Sequence, residues 1–144
     1  MPETDGPSRA DQIAATIPYA GELGITMDEA TPEVVRGSLA WSPERCTTSG
    51  VMHGGAIMSL ADTVGAVCAF LNLPAGAGTA TVESATNFFR GVRGGTLHAT
   101  ARPLHVGRSF IVVRTDLTDD DGRPAGQTTQ TQAVLTPRAG STGS

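Results

Sequence analysis

Residues 51 to 66 read VMHGGAIMSLADTVGA, and Asp62 is the one carboxylate in an otherwise apolar or small-residue run. The run has the pattern of a buried helix, where an unpartnered carboxylate is costly to desolvate. Asp62 is therefore the leading candidate for chemistry. His53-Gly54-Gly55 stands just before the helix, where free backbone N–H groups form an anion site. A carboxylate and an oxyanion-type site this close in the chain point to acyl transfer or hydrolysis.

On a helix, Gly55, Met58, Ser59, Asp62, Gly65, Ala66 and Ala69 share one face. Apart from Met58, every neighbour of Asp62 on that face is small. Such a face admits a second backbone at close range or a slender ligand beside the carboxylate. Glycine costs about 1 kcal/mol of helix propensity relative to alanine. The space at Gly65 is thus expected to serve a ligand, and Gly65→Leu to give a folded protein with a blocked site. The competing reading is a helix–helix contact with Asp62 hydrogen-bonded to a neighbouring hydroxyl. Residues 54 to 72 are nearly long enough to span a membrane. Two glycines at the start, Asp62 at the centre and no basic flanks favour a core helix and no membrane partner.

Composition narrows the function classes. The chain has 144 residues, enough for one domain with a real core, and 39% apolar with 17% charged content excludes a disordered or fibrous protein. A net charge of −4 with no basic cluster excludes nucleic acid as the expected partner. The opening MPETDGPSRAD lacks the apolar core of a secretory signal, so the expected compartment is the cytoplasm. Cys46 and Cys68 form no disulfide framework, and Cys68 reads as a small buried hydrophobe. His53, His98 and His105 have no ligand spacing, so no metal is expected.

Residues 9–17 read as a short helix ended by Pro18, within an N-terminal segment 1–17. Two strand-like runs follow, GITMDEAT and EVVRGSLAWS, the second with Val35, Gly37, Leu39 and Trp41 on one face. After the long helix, residues 79–90, 96–104, 109–118 and 124–135 read as strands. The last, PAGQTTQTQAVL, alternates Thr with Gln and reads as half-exposed or as an interface strand. A single domain is expected over 18–137, with a disordered tail at 138–144. A helix hydrophobic nearly all round must be enclosed. The reading is an α+β fold, an antiparallel sheet wrapped around one long central helix.

Three motifs go further: G-V-M-H-G-G-A-x-x-S-L-A-D-T at 50–63, P-L-H-V-G-R-S at 103–109 and D-x-x-G-R at 119–123. With them the chain, from about Pro18 to Leu135, resembles the hotdog-fold acyl-CoA thioesterases. The branch is that of the phenylacetate-pathway, 4-hydroxybenzoyl-CoA and 1,4-dihydroxy-2-naphthoyl-CoA enzymes. The resemblance implies that Asp62 attacks the thioester carbonyl or activates a water. It implies that the Gly54 N–H, beside His53, meets the oxyanion, and such a donor is typically worth roughly 10²–10³ in rate. It also implies a homodimer with shared sites, Asp62 and Gly54 coming from different subunits, and pairing of dimers into a homotetramer. His105, Gly107, Arg108 and Ser109 would border the coenzyme A channel, Arg90 and Arg93 would approach its phosphates, and Gly55, Gly65 and Ala66 would line the substrate side. Coenzyme A is then part of the substrate and no cofactor is expected. Two positions depart from the family pattern. Thr47 stands where many relatives carry Asn or Gln, and Ala66 where some carry Thr or Ser. Covalent-anhydride and general-base routes both stay open, and an aromatic or medium-chain acyl group fits equally. A non-catalytic acyl-CoA-binding protein of the same fold is the competing function; a regulator of that kind would carry a DNA-binding segment, for which residues 1–20 are too short and too acidic.

Overall fold

Gly37 sets the distance at which helix meets sheet. A side chain there would come within 2.6 Å of the Val64 methyl and 3.2 Å of the Thr26 carbonyl oxygen, so only hydrogen lets the strand lie against the helix. The computed structural model describes residues 6–137, and the expected tail at 138–144 lies outside them. In chain order the elements are α1 (Arg9–Ala15), α2 (Pro18–Leu23), β1 (Thr26–Ala30), β2 (Val35–Ala40), α3 (Gly54–Leu71), β3 (Gly78–Phe88), β4 (Thr96–Val106), β5 (Phe110–Thr118) and β6 (Pro124–Leu135). The six strands form one sheet in the order β1-β2-β4-β5-β6-β3, antiparallel at each pairing. The expected architecture, one antiparallel sheet around a long helix, is the observed one.

α3 is the core of the molecule. It is long and apolar enough to cross a membrane by length and composition, but half of it is buried inside this fold. Ile57, Leu60, Ala61, Val64 and Val67 pack against Val35, Leu39, Leu97, Ala99, Ile111, Val113 and Leu117 from the strands. At its end, the Asn72 side-chain amide donates to the carbonyls of Cys68 and Pro32, both at 2.8 Å, which ties the last turn to the β1–β2 connection. Burial pushes the Cys68 thiol up to about 11, in keeping with an inert, hydrophobic role.

The structure corrects four expectations. α3 is not enclosed all round: Gly55, Met58, Asp62 and Phe70 are exposed along one open stripe. Pro18 does not merely end a helix; it starts α2 at a position where its fixed φ fits and no N–H is needed. Gly24, at φ 88°, closes α2. β6 is half-exposed only on its outer row and is a core strand on the other: it lies between β5 and β3 and turns Thr128, Gln130 and Gln132 inward, all buried. Polar groups tolerate this because they bond sideways to β3: Gln132 donates to Thr81 at 2.7 Å, and Thr86 and Thr128 share a 2.8 Å hydrogen bond. Lastly, the space at Gly65 is not open to a ligand. A Cβ there would collide with the Gln130 amide and lie 3.2 Å from the Thr115 hydroxyl.

Gly65→Leu is thus expected to destabilise the fold rather than spare it. Overpacking of this kind costs about 1–3 kcal/mol, and urea denaturation of the purified variant measures it.

Candidate active site

His53 caps α3 and shapes its start. Its ring Nδ1 accepts the Gly55 N–H at 2.8 Å, and its own N–H donates to the Arg45 carbonyl at 2.7 Å. The carbonyl of His53 takes the N–H groups of Ala56 and Ile57. Gly55 therefore has no backbone donor to offer a substrate, which corrects the expectation of several free N–H groups. The Gly54 N–H has no acceptor among the described residues. It is the first residue of the helix, where the N–H groups are unpaired and the dipole favours negative charge.

Gly54 lines a hollow of about 380 Å³ with Thr47, Val51, Phe88, Phe89 and Arg90. Thr47, the residue standing in for an amide, thus lies beside the helix start, held by its N–H to the Val51 carbonyl at 2.9 Å. Arg90 reaches the rim, but its guanidinium lies 3.9 Å from the Asp119 carboxylate. Asp119 belongs to the 119–123 turn, where the backbone N–H of Arg123 is the main cause holding its carboxyl below the usual range. Arg93 donates to the Ser49 carbonyl at 3.2 Å.

Asp62 lies on the open stripe of α3, and burial alone raises its carboxyl above the usual range. Its single hydrogen-bond partner among the described residues is Gln130, whose Nε2 donates to Oδ1 at 3.4 Å. Gln130 is not among the residues the sequence singles out; its one signal is the Thr- and Gln-rich pattern of residues 127–132. Asp62 follows Gly54 by eight residues, 62 minus 54, which at about 1.5 Å per residue is about 12 Å along the axis. The two cannot serve one carbonyl carbon within a single protomer.

The β4–β5 hairpin stands at the other end of the sheet. Gly107 donates to the Phe110 carbonyl at 2.9 Å, and a Cβ there would come within 2.7 Å of the His105 ring and 3.0 Å of the Phe110 carbonyl, so a larger residue would move the His105 ring. Ser109 accepts the Val134 N–H, and Val134 pairs with Thr79 at the start of β3. Gly54 and Phe88 mark the opposite end of β3, about 30 Å away at about 3.3 Å per residue. His105, Gly107, Arg108 and Ser109 are thus separated in the protomer from Thr47, Gly54 and Arg90. Ala66 lines a third place, an apolar cavity of about 500 Å³ between α1 and α3, with Ile13, Ile17, Phe70 and Thr79. Among the described residues no cluster of three or more His, Cys, Asp or Glu could hold a metal.

Comparisons with known proteins bear on the family and the fold. The model of the thioesterase superfamily matches residues 49–125. An esterase candidate of Mycobacterium tuberculosis is 30% identical over 126 residues, covering 85% of this chain and 88% of its own length. The 1,4-dihydroxy-2-naphthoyl-CoA hydrolase of Escherichia coli is 30% identical over 115 residues, covering 80% of this chain and 85% of its own. The crystal structure of a mutant thioesterase from Pseudomonas aeruginosa matches with a TM-score of 0.83 at 28% identity, over 91% of this chain and 96% of that one.

The raised Asp62 carboxyl carries a stability consequence. The folded protein binds that proton more tightly than the unfolded chain, so stability falls as pH rises from the ordinary carboxylate range through the raised value. Asp62→Asn removes the cost of the ionised form. It is expected to melt above wild type at pH 7, with the gap closing toward acid pH in a series of thermal scans.

Proposed function

The chain belongs to the thioesterase superfamily, and on that premise we propose that it hydrolyses a coenzyme A thioester of an aromatic or medium-chain acid, using Asp62 of one protomer and the Gly54 N–H of its partner. The observation that carries the reading is the division of labour along α3: an unpaired N–H at its start and a carboxylate on its open face about 12 Å away. Two copies are needed to bring such groups to one carbonyl. β3 supplies the means, as an edge strand of eleven residues with Val82 and Phe88 exposed and one row of backbone groups unpaired. Antiparallel pairing of β3 with a second copy about its middle opposes the Phe88 end of one strand to the Thr79 end of the other. The partner's Gly54 hollow then faces Asp62 and the Ala66 cavity, and Arg90 approaches the other protomer's His105–Ser109 hairpin. Coenzyme A would lie along that seam with the acyl group beside Ala66. On one route Asp62 attacks the carbonyl, coenzyme A leaves as thiolate, and water then hydrolyses the acyl–Asp62 anhydride to free acid, its proton going to the thiolate. On the other, Asp62 takes a proton from the attacking water and passes it to the leaving thiolate. On both routes the Gly54 N–H receives the oxyanion. The outer row of Gln127, Thr129 and Thr131 is half-exposed and suits pairing of dimers into a tetramer.

Thr47 favours a second reading, an acyl-CoA-binding protein without turnover, because one hydroxyl replaces an amide beside Gly54. Thiol release from a panel of aromatic and aliphatic acyl-CoAs separates the two. Hydrolysis that falls by about 10²–10⁴ in Asp62→Asn is the expected result; tight binding without hydrolysis establishes the second reading.

Gly54→Pro tests the oxyanion donor, since proline is accepted at the first helical position and removes only the N–H. A rate loss of about 10²–10³ with an unchanged circular dichroism spectrum is expected. Co-expressed Gly54→Pro and Asp62→Asn chains should recover up to about a quarter of wild-type activity, because half the dimers then hold one intact shared site.

A further inference from the structure

Gln130 stands where packing asks for a hydrophobe. Its cross-strand partner in β5 is the fully buried Val113, and it is itself 0% exposed. Its Nε2 donates to Asp62 Oδ1 at 3.4 Å, while its Oε1 has no donor and the Thr115 hydroxyl, equally buried, has no partner among the described residues. A buried amide left half-satisfied is costly, and such groups are kept where they do something besides pack. The opposite orientation would turn Oε1 toward a carboxylate, so an ionised Asp62 selects the observed one. Gly65 makes the arrangement possible, since any side chain there would displace the amide.

We propose that Gln130 is the positioning residue of Asp62: reaching through the gap at Gly65, its amide holds one carboxylate oxygen from the sheet side and leaves the other for the carbonyl carbon or the attacking water. This rests on the reading of Asp62 as the catalytic carboxylate. Among the described residues no other group donates to the Asp62 carboxylate. β3 and β5 turn Ser84 and Thr115 toward this part of α3, both uncharged, and β1, β2 and β4 turn apolar residues to the core. α1 and α2 bring Arg9 and Tyr19 to cavities along α3, and neither contributes to the Asp62 shift, which arises from burial alone. An amide donor to the charged form works against burial, the influence that raises the carboxyl.

The test is the pH dependence of kcat/KM for Gln130→Leu and Gln130→Glu, beside wild type and Asp62→Asn. In Gln130→Leu the acidic limb should move up by about one pH unit, with kcat about tenfold lower on the plateau and KM within about twofold. Gln130→Glu keeps the shape and sets a second carboxyl against the first, so its limb should move further in the same direction. Wild-type limbs and kcat in either folded variant overturn the proposal while leaving Asp62 in place. Full activity in Asp62→Asn overturns both. If neither Gln130 variant folds, the wild-type protein decides: the Gln130 side-chain amide resonance should titrate with the midpoint of the acidic limb, and a flat resonance overturns the proposal.

Discussion

The burial of one face of α3 against the inner side of the sheet is the constraint on which everything else depends. A single helix must serve as core for six strands, so its inner face is packed with Ile57, Leu60, Val64 and Val67, and β2 is thinned to glycine at position 37 to let it approach. Among the described residues α1 and α2 border the other face without closing it. Met58, Asp62 and Phe70 are left along an open stripe, and that incompleteness is where the chemistry can sit.

The same economy leaves the β3 edge bare. Eleven residues of strand with one unpaired row of hydrogen-bonding groups, next to an apolar helix stripe, form a surface that calls for a partner. Because a strand that pairs with its own copy does so about a two-fold axis, each end of β3 meets the opposite end of the other. In such a pair, groups separated in the protomer, the Gly54 hollow and the β4–β5 hairpin, would come within reach of one extended ligand by symmetry alone.

Asp62 balances two opposed influences. Burial disfavours its charge, and an amide donor such as Gln130, 3.4 Å away, is the kind of neighbour that favours it. The inward row of Thr128, Gln130 and Gln132 is thus more than a curiosity of a polar strand. It replaces apolar packing with directed hydrogen bonds, Thr128 and Gln132 to β3 and Gln130 to Asp62.

Much was legible without coordinates. The 54–71 helix, the His53-Gly54-Gly55 start and the isolation of Asp62 follow from local signals: apolar content, capping chemistry and a charge out of place. So do the strand positions, which rest on alternation and turn residues. What the tertiary structure alone decided is which side of each element meets which neighbour. Alternating Thr and Gln reads the same whether the strand is central or at an edge, and Gly65 reads the same whether its space is for a ligand or for Gln130. Asp62 and Gln130 are 68 residues apart, and their meeting depends on a strand order that no local pattern encodes. Periodicity shows that a residue has a face; only the long-range pairing of strands decides what that face touches.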